Sequence, residues 1–169
     1  IAGSAKSGTT TLHDILNSHP DIFIPDGEPH FFDIDNFSYH HENKYFDNNI
    51  NLWNYISIIN NKEKLWSWYS DKFKGNEHLL TGDDSTAYFF DYNTPKRLSI
   101  QDKPIKILIL LRNPTDRCYS EYFQRLKSGT AIFSFEDYLK YDFNFLTKAS
   151  LYKKNIERFL NFIPRERIK

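Results

Sequence analysis

Three groups of residues have the types and spacing to handle a doubly charged anion and the proton chemistry beside it. The first is Gly3-Ser4-Ala5-Lys6-Ser7-Gly8-Thr9-Thr10-Thr11, at the start of the chain. Glycine accepts left-handed angles and lets backbone N–H groups turn inward with no side chain in the way. The threonines open a helix, whose first turn has unpaired N–H groups and the positive end of the dipole. Lys6, Ser7, Gly8, Thr9 and Thr10 are therefore expected to cradle a phosphate-like group. The second group is Arg112 with Ser120. A guanidinium fork matches the oxygens of a phosphate monoester, and a hydroxyl about two helical turns on adds a hydrogen bond to the same group. The third is Glu28, in Glu28-Pro29-His30-Phe31-Phe32-Asp33. Pro29 pushes Glu28 out of helical angles. Its carboxylate then sits in an extended loop after a strand, on the sheet edge where ligands collect in open α/β folds. Glu28 is the expected general base and His30 the second candidate.

The position of the lysine narrows the chemistry. The nucleotide-binding loop G-x-x-x-x-G-K-[ST] has its lysine directly after the second glycine and a hydroxyl on magnesium. Gly3 and Gly8 keep that spacing, but Thr9 stands in the lysine position and Lys6 lies mid-loop. Magnesium nucleotidases also hold the metal with an aspartate near such a strand end. Arg112 inverts that charge, so the site wants an anion and no metal. Asp83 and Asp84 fit helix capping or acceptor ordering, with a metal-ligand role as the third reading. A magnesium-dependent nucleotide kinase and a non-catalytic nucleotide-binding domain are the alternatives to an enzyme that transfers a group from a bound nucleotide.

Composition sets the frame. The chain of 169 residues carries 22 Lys+Arg against 22 Asp+Glu, so overall charge points to neither nucleic acid nor a membrane surface as partner. Hydrophobic residues make up 40 % and the mean hydropathy is −0.63, as in soluble globular proteins. A single cysteine, Cys118, rules out an internal disulfide and a cysteine metal cluster, and its place in a helix suggests packing. No apolar run reaches membrane-spanning length. The absence of methionine and an opening strand of only Ile1-Ala2 suggest a fragment.

The elements that must position these groups alternate. Helices are expected over 9–18, from Leu52 to Ile59, around Leu65-Trp66-Tyr69-Phe73, over 94–100, from 114 to about Lys127, after Ser134 with Asp137 at the capping-box position, and from Leu151 to Ile163 before Pro164. The two middle helices hold an aromatic-rich stretch, read as core packed on the sheet; a sugar-stacking platform is the sharper alternative. Strands are expected at Ile22–Ile24, from His78 into Thr81, and at Ile105–Leu111, an apolar run typical of a central parallel strand. Asn113 and Pro114 are a good cap and first-turn pair. Lys153, Lys154, Arg158, Arg165 and Arg167 read as a solvated face. The whole is an α/β fold with a mainly parallel central sheet flanked by helices in three layers.

Two of these segments together carry a family resemblance. K-S-G-T-T resembles the 5′-phosphosulfate loop of sulfotransferases that use 3′-phosphoadenosine 5′-phosphosulfate (PAPS). R-N-P-x-x-R-x-x-S-x-Y, met at Arg112, Asn113, Pro114, Arg117, Ser120 and Tyr122, is similar to their 3′-phosphate segment. E-P-H-F-F-D and Gly82, Ser85 and Tyr88 are similar to the carbohydrate branch, the heparan sulfate N- and O-sulfotransferases. The resemblance implies a P-loop nucleotide-hydrolase-like fold in one sulfotransferase domain over 1–169, lacking an N-terminal strand and the C-terminal loop that closes over the nucleotide. It implies Lys6 to Thr10 on the 5′-phosphosulfate, Arg112 and Ser120 on the 3′-phosphate, and Glu28 as base, with Lys6 also catalytic. PAPS would be donor and PAP product, with no metal required. The acceptor would be a saccharide hydroxyl or amine. The compartment would be cytoplasmic in a bacterium and the Golgi lumen for a eukaryotic carbohydrate enzyme. Gly27 and Asp84 stand where the heparan branch often has lysine, which removes positive charge from the acceptor side.

Overall fold

A computed structural model describes residues 1–36, 44–55, 61–103, 105–141 and 146–169. Its centre is a set of parallel backbone rows joined by short ladders and single bridges. Strand β1 (Ile22–Phe23) pairs in parallel with β4 (Leu80–Thr81), Ile22 opposite Leu80 and Phe23 opposite Thr81. The chain after β4 runs alongside Ile1, whose carbonyl accepts the N–H of Ser85 at 3.1 Å. Residues 2–4 then lie against 108–110 through Ala2 N–H to Leu108 O at 2.9 Å and Ser4 N–H to Leu110 O at 2.9 Å. Ile107 bridges Ile168 in parallel on the far side. The apolar run 105–111 is thus central, with a row on each flank.

The last row, 167–169, lies beyond the expected final element. Arg167 Nε clamps it by donating to Ile105 O at 2.9 Å. Arg158 likewise donates to the carbonyls of Phe90 and Asp91 at 2.9 and 3.1 Å, and Arg165 to that of Ile168 at 2.6 Å. These three arginines are backbone anchors, which corrects the reading of a solvated basic face.

Helices cover the rows. They are α1 (Thr9–Asn17), α2 (Lys62–Asp71), α3 (Thr94–Ser99), α4 (Pro114–Lys127), α5 (Phe135–Tyr141) and α6 (Tyr152–Leu160). The core gathers Phe31, Phe32, Tyr88 and Phe89 with Ile107 and Phe159. Helix α6 contributes Phe159, and Ile163 is buried in the turn before Pro164. Leu151 and Leu160 lie half outside, as does Ile15 of α1, so the apolar faces of these two helices are narrower than the spacing suggested. At α5 the Ser134 hydroxyl accepts the N–H of Asp137 at 3.1 Å and donates to its carboxylate at 2.9 Å.

One expected helix is a hairpin. Residues Leu52–Tyr55 form β3, antiparallel to β2 (Lys44–Asp47), with Phe46 opposite Trp53. Their rings meet edge to face, centroids 5.7 Å apart. The asparagine-rich link explains it: Asp47 Oδ1 accepts the N–H of Asn49 at 2.9 Å, and Asn51 takes a left-handed φ of +53°. Such side chain-to-backbone closure favours turns over helix. Leu52 and Trp53 are exposed, so this part of the aromatic stretch is not core. Helix α2 is, in part: Leu65, Trp68 and Tyr69 pack on the core, and Trp66, half exposed, sets its ring against Phe31 with centroids 4.5 Å apart. Phe37, Tyr39, Ile56 and Ile59 of the same stretch lie outside the described residues.

Candidate functional site

The opening loop turns between its row and α1 on two glycines with different reasons. Gly3 has φ +130°, and a Cβ there would come within 2.6 Å of Thr86 O and 2.8 Å of Phe89 Cβ. Gly8, at φ +91°, has open space around it and is needed for its backbone angle alone. It starts α1 with no side-chain cap, so the first-turn N–H groups of α1 have no protein side chain to receive them. Lys6 also takes a positive φ, +65°. Ser7 Oγ is buried and has no hydrogen-bond partner. A buried orphan hydroxyl beside uncapped N–H groups is what a bound oxyanion would satisfy. Thr9 is buried under the loop, and Thr10 is exposed at its mouth.

Arg112 leaves the tip of the central row and turns back onto the loop. Its Nη1 donates to Lys6 O at 3.2 Å. Helix α4 follows at once, with Pro114 in its first turn and Asn113 Oδ1 accepting the N–H groups of Thr115 at 3.0 Å and Asp116 at 3.3 Å. Gln124, one turn after Ser120 on the same helix face, accepts from Lys6 Nζ at 3.4 Å. The face bearing Ser120 is therefore turned to the loop, and Lys6 sits between its own loop and α4. The helix is anchored from below by Arg117, fully buried, which donates through Nε to Ser150 Oγ at 2.6 Å and through Nη2 to the carbonyl of Leu146. Cys118 packs beside it, its thiol 3.0 Å from the same carbonyl.

Glu28 is held on the loop's other flank. Thr86 gives it both N–H and hydroxyl, each 2.8 Å from Oε2, with the hydroxyl also 3.1 Å from Oε1. The carbonyl of this same Thr86 is what forces residue 3 to be glycine. One residue thus ties the carboxylate to the phosphate loop. His30 Nε2 lies 3.4 Å from Glu28 Oε2, and His30 Nδ1 lies 3.3 Å from Asp33 Oδ1, whose side chain is fully buried. Glu28 keeps 39 % of its side chain exposed. Of its two oxygens, Oε1 is the less engaged. Among the described residues Glu28 has no ion pair with Lys6. Asp84 is buried beside α1, Oδ2 3.4 Å from His13 Nδ1. Burial, first, and the nearby Glu28 charge push its carboxyl up to about 6, against the pull of His13.

The structure brings Arg112 and α4 to Lys6, through Arg112 Nη1 to Lys6 O and Lys6 Nζ to Gln124, and ties Glu28 to the loop at Gly3 through Thr86. Ser7, Gly8, Thr9 and Thr10 follow Lys6 in the loop and the first turn of α1, and Ser120 lies one turn before Gln124 on α4. Asp33, Thr86 and Gln124 are additions. Spacing hinted at two of them, since Asp33 is three residues from His30 and Gln124 four from Ser120. Nothing local marks Thr86.

A sulfotransferase-domain family model matches residues 1–168. The chain belongs to the sulfotransferase family. It is 31 % identical over 178 residues to heparan sulfate glucosamine 3-O-sulfotransferase 5 of Mus musculus, covering 98 % of this chain and 44 % of that protein. Over 137 residues it is 31 % identical to heparan sulfate glucosamine 3-O-sulfotransferase 3A1 of the same species, covering 80 % and 28 %. The sulfotransferase from Alicyclobacillus acidocaldarius, a crystal structure, matches with a TM-score of 0.75 at 28 % identity, over 100 % of this chain and 70 % of that one. This sulfotransferase chain spans less than half the length of the curated relatives it matches. The α/β architecture with parallel rows is the family's fold.

Proposed function

We propose that this chain forms the donor site and the proton-accepting site of a PAPS-dependent sulfotransferase that acts on a saccharide. The supporting observation is the convergence at Lys6. An uncapped, glycine-started helix and an arginine on the adjacent row meet there, while Thr86 ties the Glu28 carboxylate to the same loop. Lys6, Ser7, Gly8, Thr9 and Thr10 would hold the 5′-phosphosulfate, and Arg112 with Ser120 the 3′-phosphate. The buried orphan hydroxyl of Ser7 fits that assignment. PAPS supplies a sulfuryl group activated by its bond to phosphate. Glu28, through Oε1, takes the proton of the acceptor hydroxyl or amine. Lys6 and the α1 N–H groups offset the negative charge that grows on the departing phosphate, as pre-organised donors do. His30, with Nε2 3.4 Å from Glu28 and Nδ1 3.3 Å from Asp33, stands beside the carboxylate and is the second candidate base.

The acceptor class follows from the relatives, whose names specify heparan sulfate glucosamine. In this chain a carboxylate, Asp84, lies near Glu28 where that branch often has lysine, so the acceptor is read as a less anionic saccharide. The kinase alternative lacks support: the Asp83 carboxylate is taken by three hydroxyls and Asp84 is buried against His13.

The test is transfer of labelled sulfate from PAPS to a saccharide panel by the intact protein. Glu28→Gln is expected to lower kcat by about 10²–10⁴-fold, the usual contribution of a general base. Calorimetric binding of 3′,5′-bisphosphate adenosine should be unchanged. Transfer at the wild-type rate would remove Glu28 from the mechanism.

A further inference from the structure

Asp83 has no part in the mechanism above, yet its carboxylate is among the most heavily bonded near the site. It accepts the hydroxyl of Ser85 at 2.7 Å on Oδ1, and those of Tyr69 at 2.9 Å and Tyr88 at 2.8 Å on Oδ2. A hydroxyl has one proton to give. Once that proton points at Asp83, the oxygen can only accept from its remaining neighbours. Ser85 Oγ accepts the N–H of His30 at 2.9 Å, and Tyr88 Oη accepts the N–H of Phe32 at 3.2 Å. Tyr69 completes the set by stacking on Phe31, ring centroids 4.1 Å apart and planes 15° from parallel. Residues 30, 31 and 32 are each held by one of the three hydroxyl side chains that converge on Asp83.

The segment has something to be held against. His30 takes a left-handed φ of +53°, uncommon for a residue with a Cβ though less so for histidine than for most. From that backbone position its imidazole lies between Glu28 and Asp33, 3.4 Å from one and 3.3 Å from the other. Both phenols are kept as donors: burial, and then the Asp83 charge, push each well above its usual range.

The geometry points to Asp83 as a positioning residue for the proton acceptor: by fixing which way Ser85 and Tyr88 donate, it fixes the backbone of His30 and Phe32 and so the alignment of Glu28. This rests on Glu28 being the base, and Asp83 itself touches neither donor nor acceptor.

The test uses Asp83→Asn in the intact protein. An amide keeps the size but has one accepting oxygen, so either Ser85 or the tyrosine pair must reverse its donation. The expected result is a kcat lowered roughly 10–100-fold, the scale of a misplaced catalytic group. The KM for PAPS and the binding of 3′,5′-bisphosphate adenosine should stay within about twofold, since no phosphate contact is touched. In a Glu28→Gln background the same change should add nothing, because the group it aligns is gone. Independently of activity, amide hydrogen exchange at His30 and Phe32 should quicken by about tenfold or more. Wild-type kcat in the folded variant, an equal further loss without Glu28, or unchanged exchange at both amides would each overturn the assignment. If Asp83→Asn does not fold, Ser85→Ala carries the test on the His30 amide and on kcat. A wild-type protein inactive on every acceptor would count against the proposed function, and the exchange measurement would still decide the role of Asp83.

Discussion

Helices α1 and α4 both begin at the mouth of the site, and they begin differently. Behind α1 stands Gly8, which has no side chain to close the first turn. Behind α4 stands Asn113, which closes it with two hydrogen bonds from Oδ1. An open helix start presents N–H groups and the positive dipole end to whatever anion approaches. A capped start has used those groups on itself. Helix α4 therefore contributes side chains: Arg112 just ahead of it, and Ser120 and Gln124 along one face. Under the proposed function, the two helices would divide the recognition of one nucleotide. Backbone and Lys6 would meet the reacting phosphosulfate, where charge changes, and a guanidinium would meet the phosphate that stays unchanged. Arg117 serves the second half from below, because a buried guanidinium bonded to Ser150 and Leu146 fixes the depth of α4 against the loop.

The largest effect expected from this division is at Lys6. Lys6→Ala removes the charged side chain of the opening loop, and should cut sulfate transfer by about 10²–10³-fold in kcat, the usual loss for a removed oxyanion donor. A loss confined to KM would mean that Lys6 only binds. Next is Arg112→Ala. A charge-assisted, two-pronged contact to phosphate is worth roughly 1.5–3 kcal/mol, so the affinity for 3′,5′-bisphosphate adenosine should fall about 10–100-fold. Adenosine 5′-monophosphate, which lacks the 3′-phosphate, should bind within about threefold of wild type. Equal losses for both nucleotides in calorimetry would erase the distinction between the two helices.

How much of this could be read from the chain follows from the range of each interaction. The start of α4 was legible because Asn113 and Pro114 act on their immediate neighbours. The same holds for Gly8 and for the Ser134 cap of α5. The hairpin at β2 and β3 was not, since Leu52, Tyr55, Ile56 and Ile59 fit helical spacing and the deciding partner lies in β2. The row at 167–169 escaped for a similar reason. Its place is set by backbone hydrogen bonds to Ile107 and Ile109 and by the Arg167 side chain on Ile105 O, not by an apolar run of its own. At the site, Glu28 was found because Pro29 restricts it. Thr86, 58 residues away in the chain, holds that carboxylate and leaves no local mark. Asp33 was in view but had no assigned role, because its link to His30 depends on the turn that the three hydroxyls impose.

The smallest expected effect tests the capped helix itself. Asn113→Ala opens the first turn of α4 and should cost about 1 kcal/mol, the usual value of an N-cap. In a domain of this size that lowers Tm by about 2–4 °C. The division of labour adds a second expectation. Under the proposed function the released N–H groups of Thr115 and Asp116 would not hold the nucleotide, so affinity for 3′,5′-bisphosphate adenosine should change by less than about threefold, under 1 kcal/mol. Thermal unfolding and calorimetry on the same preparation separate the two quantities. Binding that falls as far as in Arg112→Ala, with Tm unmoved, would mean that Asn113 faces the ligand and that α4 is an anion site in its own right. Binding that holds while Tm drops leaves the open glycine start of α1 as the one helix terminus reserved for the donor.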